Sequence, residues 1–432
     1  MLSLKLAARS VLRNWRHSAA SVMSISLGFL AISAIQGYYV DCLHQFKFSH
    51  VNRTMTGHVI VDRRSDKPES TLLTQEEIAA VNDVLAQYSE EVTHKIRFLA
   101  VEGIIAGSGS SYAYAGYGYD VQEGEIVRGK DWAWNAIYGH PLDGKGQSQI
   151  AVGAGLAELL GCKLEGLSPL LNSDGSFKPN PVDLDCFKQS FQLTALTEKN
   201  QMNAADAAIH GIVDGGVREL EDSWIQMPLE QAQILSNTKK LSMIGIHLKD
   251  ETRRYEIRDA LREGLKEKFP AVTIDQWEDH PHAEIYRTMM AMMLVLQGFM
   301  LSVVAVVSAL SMINTVTRSI DERQSEIGTL RAVGYENGFV IRLFAWEGGV
   351  LGLSGSIMGT LATYGVSKAL DAAEILYHPA LISQKVPLRI AFIPNFYALL
   401  TIVLIAGASI TAMVVARYKI SKDISAILRH EA

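Results

Sequence analysis

Charged residues are missing from four long stretches of this 432-residue sequence, although Asp, Glu, Lys and Arg make up 20% of it. The charge-free runs are Ser18–Val40, Thr288–Thr317, Gly348–Ser367 and Ile390–Ala416. Each reaches the roughly 20 residues that a helix needs to cross the hydrocarbon core of a membrane. Core helices of soluble proteins rarely stay uncharged for so long, because one face meets water. The sequence therefore predicts four transmembrane helices.

Motifs for nucleotide binding and catalysis are also missing. The sequence has no G-x-x-x-x-G-K-[ST] phosphate loop and no G-x-S-x-G, H-E-x-x-H or C-x-x-C motif. Gly153 and Gly155 resemble the start of a phosphate loop, but Glu158 stands at the third glycine position, which favours a structural turn. The net charge of −6 argues against nucleic-acid binding. We expect neither catalysis nor a cofactor in this chain.

Residue types that bind metals cluster in one place only, the segment EDHPHAE. Its members are Glu278, Asp279, His280, His282 and Glu284. These residue types suit zinc. The segment is also an acidic lead-in to the second apolar run, where a solvated linker is the simpler interpretation. No metal site is predicted.

Cysteine is scarce: the three are Cys42, Cys162 and Cys186. The last two lie in the long polar middle of the chain, where an oxidising compartment would permit a disulfide. The sequence alone does not show that they are close enough to bond. A Cys162–Cys186 bridge and a pair of buried thiols both remain open.

Lys and Arg are less frequent at one side of the predicted spans than at the other. The richer side has Lys5, Arg9, Arg13, Arg16, Arg318, Arg323, Arg331, Arg342, Arg417, Lys419, Lys422 and Arg429, and the poorer side has Lys47, Arg53, Arg287, Lys368, Lys385 and Arg389. By the positive-inside rule, both termini and the segment between spans two and three are cytoplasmic. The first run could be a cleaved signal peptide, but it exceeds the about 7–15 residues of a signal core, which favours an uncleaved anchor.

The predicted organisation follows from these runs. A large domain outside the membrane separates spans one and two. The predicted boundaries are a cytoplasmic amphipathic helix at 1–17, spans at 18–43, 287–317, 338–367 and 390–416, an extracytoplasmic domain at 44–286, a cytoplasmic helix at 318–337, an outer loop at 368–389 and a cytoplasmic tail at 417–432. Residues 1–17 interleave apolar and basic side chains, which fits a helix in the membrane interface or a plain basic flank.

The long polar middle has the pattern of a mixed α/β domain. Thr74 and Glu77 form a capping box at the start of a predicted helix. Two β-rich runs flank Gly107–Ser110, which predicts a hairpin. The second run carries Tyr112, Tyr114, Tyr117 and Tyr119, which we interpret as ordinary strand residues rather than a stacking surface.

Small residues recur along the third span. Gly348, Gly352, Gly355 and Gly359 follow one helix face, and Ser24 and Gly28 are related in the same way in the first span. Such faces let a second helix backbone approach closely, within one chain or between two. Glu347, at the start of span three, is costly inside a membrane. It would pair with Arg342 or with a basic residue of another helix, or lie among the head groups.

Several segments together resemble a known family. They are LAARSVLRNWRHSAASVMSISLG before and in span one, SIDERQSEIGTLRAVGY between spans two and three, EGGVLGLSGSIMG at span three and the C-terminal ISKDISAILRHEA. This arrangement resembles the MacB/FtsX-like permeases of ABC transporters, which include the lipoprotein-releasing proteins LolC and LolE. The most specific segment is E-R-x-x-E-I-G-x-L-R-A-x-G, at Glu322–Gly334. The resemblance covers the membrane part strongly and the outer domain weakly, through TGHVIV, IAVGAGLAELLGCKLEG and WIQMPLEQAQIL.

The resemblance implies a fold, partners and a mechanism. It implies a MacB-like periplasmic core domain, a second permease copy or sister permease, and a cytoplasmic ATPase dimer that binds ATP and Mg²⁺. Ser319–Val333 would be a coupling helix that docks on this ATPase. The candidate coupling residues are Ile320, Glu322, Arg323, Glu326, Ile327, Leu330, Arg331 and Gly334.

The expected function is that of a bacterial inner-membrane permease that extracts or exports a hydrophobic cargo, such as a lipoprotein or lipid, toward a periplasmic acceptor or adaptor. The alternative is a cargo-free mechanotransmitter that controls a cell-wall hydrolase. Methionines cluster near the outer end of span two and suit an adaptable apolar surface. The predicted cargo path, facing a second copy, comprises Met289, Met290, Met293, Gln297 and Met300; a lipid-facing or packed helix is the alternative.

Overall fold

The computed structural model of this chain describes residues 15–64, 71–107, 109–132, 136–144, 148–167, 170–171, 177–178, 180–215, 221–377 and 386–430. The chain divides into two compact units. The α/β unit comprises His44–Met289 and Leu376–Pro387. The helical unit comprises the described residues up to Leu43, Met290–Ile375 and those from Leu388 onward. The predicted interfacial helix at 1–17 lies mostly outside the described residues.

A mixed sheet forms the centre of the α/β unit. The strand bounds are β1 (Val59–Arg63), β2 (Val92–Gly107), β3 (Ser110–Tyr119), β4 (Ala136–Gly139), β5 (Gln149–Gly153), β6 (Leu170–Leu171), β7 (Phe177–Lys178), β8 (Phe191–Leu196), β9 (Met202–Val213), β10 (Trp224–Pro228), β11 (Met243–Leu248) and β12 (Val272–Gln276). Ten of these described strands form the sheet, in the order β12-β1-β11-β2-β3-β10-β5-β9-β4, and the tenth, β8, pairs with β2 and β9. Strands β6 and β7 pair separately, as do β13 (Leu376–Tyr377) and β14 (Val386–Pro387).

The long strand β2 belongs to two parts of this sheet. Its first half, Val92–Phe98, pairs with β11, and Gly103–Ala106 pairs with β8 on the same edge. The pairings β2-β3-β10-β5-β9-β8-β2 close a ring of six strands. Closure leaves these strands without an open edge. Beside the ring, β12, β1 and β11 extend the sheet from the first half of β2.

The structure confirms two local predictions, the hairpin and the capping box. Strands β2 and β3 are the predicted hairpin, with Gly107 opposite Ser110. The capping box is also confirmed: Thr74 accepts a hydrogen bond from the Glu77 backbone N–H, and the Glu77 side chain accepts one from the Thr74 backbone N–H. The helices of the unit are α2 (Gln75–Leu85), α3 (Val121–Trp132), α4 (Ala154–Leu159), α5 (Leu229–Ser236) and α6 (Arg254–Lys266), and short 3₁₀ turns lie at Ala86–Tyr88, Asp185–Lys188, Glu251–Arg253 and Pro281–Ala283.

Strand alternation gives the sheet two buried faces. On β2, Leu99 and Val101 pack into the main hydrophobic core with α2 and α6, whereas the neighbouring Phe98 does not. The tyrosines of β3 divide in the same way, because successive strand residues point to opposite faces. Tyr114 lies in the main core, and Tyr119 is buried outside it.

The cysteines that the sequence left open are joined. Cys162 and Cys186 form a disulfide with a Cα–Cα distance of 5.2 Å, and Cys42 is buried and belongs to no disulfide. The bridge links the segment after α4 to the turn at Asp185–Lys188, 24 residues later in the chain. A cross-link over a loop of this length stabilises a fold by about 3 kcal/mol, through the reduced entropy of the unfolded chain.

Four helices are long and apolar enough to cross a membrane. They are α1 (Trp15–Phe48), α7 (Glu284–Glu322), α9 (Asn337–Ala373) and α10 (Pro394–His430), and the short α8 (Gln324–Ala332) lies between α7 and α9. A π-helical turn at Ser49–Arg53 follows α1. The helices are longer than the predicted spans: α10 continues 14 residues beyond the predicted end at Ala416, through the described part of the predicted tail.

The bounds predicted for the separate short helix, Ser319–Val333, need correction, since α8 covers only Gln324–Ala332. Residues 319–322 are the last turn of α7, and α8 begins only at Gln324. The helix continues to Glu322 because Ile320 is buried, 2% exposed, in a core with Met312, Val316 and Phe344. The Arg318–Glu322 ion pair, spaced i,i+4, adds support to that last turn.

The glycines of the third span pack within this chain. A Cβ on Gly348 would lie 2.6 Å from the Ala408 carbonyl oxygen of α10, and one on Gly359 would lie 2.5 Å from the Phe29 side chain of α1. Gly352 and Gly355 contact the same two helices, α10 and α1 respectively. Gly28 of α1 meets Val304 of α7, while the hydroxyl of the predicted packing residue Ser24 donates to the Ala20 carbonyl of its own helix.

Candidate functional site

The turn between α7 and α8 is fixed by a buried ion pair. Arg323 Nη1 lies 2.6 Å from Glu347 Oε1 of α9, and the two side chains are only 13% and 8% exposed. The Arg323 guanidinium also lies 5.8 Å from the ring centre of Phe344, one turn before Glu347. A buried pair of this kind is strongly destabilised when one partner is removed. Arg323 therefore joins the start of α8 firmly to α9.

Two further contacts fix the end of α7. Asp321 forms an ion pair with Lys419 of α10, and the Arg323 carbonyl accepts the Ile327 backbone N–H at 2.9 Å as α8 begins. At the other end of α8, Gly334 has a φ of +99°, a conformation that favours glycine. The chain thus turns at both ends of α8, and the first turn is anchored to α9 and α10.

The sequence left the partner of Glu347 open, and the structure decides it. The partner is Arg323, in the turn just after α7, where the sequence predicted Arg342 or a basic residue of another helix. Pairing with Arg342 is wrong, because the Arg342 Nε donates to the Gly338 carbonyl at 3.1 Å in its own helix. Arg323 and Glu347 are 24 positions apart in the chain, and only tertiary packing brings them together.

The apolar residues predicted for coupling differ in burial. Ile320 is buried in the core of the helical unit, and Ile327 is half-buried against that core. The side chains of Glu326, Leu330 and Arg331 lie outside the described residues.

Exposed apolar side chains follow α8. Val333 is 73% exposed, and the exposed Tyr335 packs its ring 4.7 Å from that of Phe339. Glu322, exposed at the end of α7, pairs with Arg318. The sequence signal for the aromatic part of this surface is the pair Tyr335 and Phe339, spaced i,i+4 after Gly334.

The predicted cargo-path residues do not form one exposed surface. Met290 is buried, and the Gln297 side-chain amide donates to the Gln36 side chain of α1. Met293 is half-buried, and Met300 is exposed. Met290 and Gln297 thus have contacts within the chain, and the contact of this end of the helix with a second copy stays a prediction. Met289 belongs to the α/β unit and lines a cavity there.

The histidine-rich segment serves the α/β unit structurally. His280 Nε2 lies 3.2 Å from Asp62 Oδ2, and the His280 and His282 rings are 4.5 Å apart. His282 also offers its carbonyl oxygen to His50 Nε2 at 3.2 Å. Among the residues that the structure describes, no group of three or more His, Cys, Asp or Glu side chains is placed to hold a metal ion.

Comparison with known proteins supports the family resemblance. Residues 298–423 match the family described as "FtsX-like permease C-terminal". The ABC transporter permease YtrF of Bacillus subtilis is 27% identical over 133 residues, which cover 30% of each chain. The lipoprotein-releasing system transmembrane protein LolC of Neisseria meningitidis is 23% identical over 248 residues, 56% of this chain and 54% of that one.

Solved structures align with about half of the chain. The periplasmic region of MacB from Actinobacillus actinomycetemcomitans aligns with a TM-score of 0.34 and 14% identity, covering 55% of this chain and 94% of that one. The extracellular domain of the transporter YknZ aligns with a TM-score of 0.32 and 11% identity, covering 50% and 98%.

The matched segment includes the turn at Arg323 and the described helices around it. Residues 298–423 are similar to the C-terminal domain of FtsX-like permeases. The predicted resemblance to MacB/FtsX-like ABC transporter permeases of the LolC/LolE type is confirmed. The chain spans only about a third to a half of the length of the curated relatives cited here.

Proposed function

We propose that this chain is the permease subunit of an ABC transporter and that it couples ATP hydrolysis by a separate ATPase to the movement of a hydrophobic cargo. The ATP and Mg²⁺ would be bound by the ATPase, and cargo would pass toward an acceptor or adaptor outside the membrane. The lipoprotein-releasing relatives make a lipid-modified protein or a lipid the first cargo to test.

The buried Arg323–Glu347 pair carries this proposal. A short helix that binds an ATPase transmits force only if it is joined rigidly to the helices that must move. The pair joins the start of α8 to α9, and Asp321 and Lys419 join the end of α7 to α10. A loop that only connected two spans would not need a buried ion pair, because exposed charges are cheaper to place.

The proposed orientation places α8 in the cytoplasm and the α/β unit outside. Lys and Arg are more frequent on the α8 side of the helices. The Cys162–Cys186 bridge is in the α/β unit, and disulfides persist in oxidising compartments. Maleimide labelling of intact cells checks this orientation: Lys199→Cys should react and Ser325→Cys should not, and the reverse result would disprove it.

A second permease, identical or a sister chain, is part of the proposal. Helix α7 exposes a long apolar surface on which Met292 and Val295 are each 75% exposed. Membrane lipids and a second permease are both suitable neighbours for such a surface, since membrane helices associate by close packing rather than by leaving water.

The coupling role is tested by Leu330→Asp. A charge placed in an apolar docking site is costly, so we expect loss of co-purification with the cognate ATPase and of permease-stimulated ATP hydrolysis. Leu196→Asp makes the same change at an exposed position of the α/β unit and is the matched control. Both variants should insert normally. Wild-type ATPase binding and cargo movement in Leu330→Asp would contradict the coupling role.

A further inference from the structure

The α/β unit contains a cavity of about 720 Å³, within the range of small-molecule sites. It lies on the face of the sheet that the main hydrophobic core does not use. Phe98 of β2, Trp224 of β10 and Met243 of β11 line it, and the strand neighbours Leu99, Ile225 and Ile244 point into the core instead. The protein thus leaves the second buried face of its sheet partly open.

Apolar and aromatic side chains form most of the cavity wall. The Tyr117 ring lies 5.8 Å from that of Trp224 and 6.0 Å from that of Phe98, both in edge-to-face geometry. Met55 and Met243 complete the wall, and their flexible side chains adapt to varied apolar partners. Such a wall binds hydrocarbon rather than a polar group.

The arginine of the cavity lining is paired within the protein. The buried Arg53 side chain forms an ion pair with the buried Asp214. Glu284 also lines the cavity and adds a carboxyl group to it. A paired arginine and an added carboxyl group do not favour an anionic head group inside the cavity. Only the uncharged part of an amphiphile fits inside.

Both segments that connect the unit to the long apolar helices line this cavity. His50–Thr56 follows α1 directly, and Ile285 and Met289 lie on the first turns of α7. Ile285 is 49% exposed while it lines the cavity, so it marks an opening. Hydrocarbon can enter the cavity through the opening at Ile285.

We propose that this cavity holds one long acyl chain of the transported cargo, with the cargo head group outside. This inference rests on the proposed function, because it names the part of the cargo that the α/β unit would bind. The occupant is a linear hydrocarbon chain, which the apolar wall and the internally paired arginine both favour.

The test measures acyl binding by the full-length permease in phosphatidylcholine nanodiscs without an ATPase. The probe is palmitate with a photoreactive diazirine, and labelled peptides are identified by mass spectrometry. We expect labelling of the peptides that contain Trp224 and Met289, suppressed by excess unlabelled palmitate or by an N-palmitoylated peptide. Because no ATPase is present, failure to bind acyl chains is distinguishable from failure of coupling.

Two variants and one control sharpen the test. Ile285→Trp and Thr288→Trp place bulk at the opening. Each should lower the labelling by roughly tenfold or more, since an apolar pocket discriminates that strongly over a few methylenes. Ile234→Trp makes the same change at a position of equal exposure that does not line the cavity, and it should label normally.

Three outcomes would overturn the proposal. Labelling of these peptides that excess palmitate does not compete would show only bulk lipid. Labelling that survives in both Ile285→Trp and Thr288→Trp would place the acyl chain elsewhere. Competition by phosphatidylglycerol without competition by the palmitoylated peptide would assign the cavity to a resident lipid and not to cargo.

Discussion

The two units bury different kinds of residue under their surfaces. The α/β unit fills its core with branched aliphatic and aromatic side chains, and its surface is polar enough for water. The helical unit buries glycine, serine and alanine between its helices and exposes large apolar residues such as Met292 and Val295. Side-chain burial stabilises a fold in water, whereas in hydrocarbon the gain comes from close approach of backbones. One chain therefore follows two packing rules, one for each solvent.

Each unit also contains an arginine in an ion pair that is largely shielded from solvent. Arg53 pairs with Asp214 in the α/β unit, and Arg323 pairs with Glu347 in the helical unit. Neither pair is strong evidence for stability, because desolvation offsets the attraction. Their location is more informative. The Arg53–Asp214 pair lines the cavity of the α/β unit, and the Arg323–Glu347 pair lies at the start of α8. Three predictions test the contrast between the units, and they begin with the largest effect.

Removal of Glu347 should have the largest effect. Glu347→Ala leaves Arg323 charged and buried, so we expect a loss of about 3–5 kcal/mol in the free energy of unfolding. Glu322→Ala removes the partner of an exposed pair and should cost at most about 0.5 kcal/mol. Thermal unfolding of the purified permease measures both.

A double variant separates stability from charge in this pair. Arg323→Met combined with Glu347→Leu replaces the pair by apolar side chains and should restore most of the lost stability. A Glu347→Ala variant as stable as Glu322→Ala would show that the Arg323–Glu347 contact contributes little.

Substitution of a packing glycine should have the next largest effect. Gly348→Ala forces a methyl group toward the Ala408 carbonyl, which cannot move without its helix, and should cost about 1–3 kcal/mol. Gly365→Ala lies in the same helix with open space around it and should be neutral or stabilising by up to about 1 kcal/mol. Unfolding of the purified permease by increasing concentrations of a denaturing detergent compares the stabilities of the two variants. Equal stability of the two variants would exclude a special role for close α9–α10 packing.

The smallest effect concerns the pH dependence of the α/β unit. Burial raises the pKa of Glu125 to about 7 from its ordinary value of 4.5, despite Arg128 at 3.3 Å. Between these two pH values the folded state holds a proton that the unfolded state has released. The contribution of Glu125 to the free energy of unfolding therefore falls as pH rises from 4.5 to about 7.

The variant Glu125→Gln removes this titration. We expect a flatter pH dependence of the melting temperature, equal stability near pH 4.5 and greater stability than the wild type above pH 7. Glu158→Gln, at an exposed position of the same unit, is the control. An unchanged slope in Glu125→Gln would mean that Glu125 titrates near its ordinary pKa.

Local signals in the sequence predicted more of the fold than of the site. The β2–β3 hairpin and the capping box depend on residues a few positions apart, so their prediction needed no knowledge of packing. The division of the β3 tyrosines was also visible, because Tyr112 and Tyr114 occupy even positions while Tyr117 and Tyr119 occupy odd ones. Strand alternation then requires two buried faces. The spacing of the tyrosines thus indicated the second buried face, which the cavity occupies, but the sequence analysis interpreted the tyrosines as ordinary strand residues.

By itself the sequence determined the four apolar helices, the mixed α/β unit between the first two, and the family segment at Glu322–Gly334. These follow from charge depletion, side-chain periodicity and a local motif, all of which are properties of neighbouring residues. Tertiary structure alone decided that Glu347 pairs with Arg323, that Ile320 faces inward, that Cys162 meets Cys186 and that β2 and five other strands close a ring. Each depends on contacts between residues distant in the chain, and those contacts are selected by the packing of the whole unit rather than by local preference.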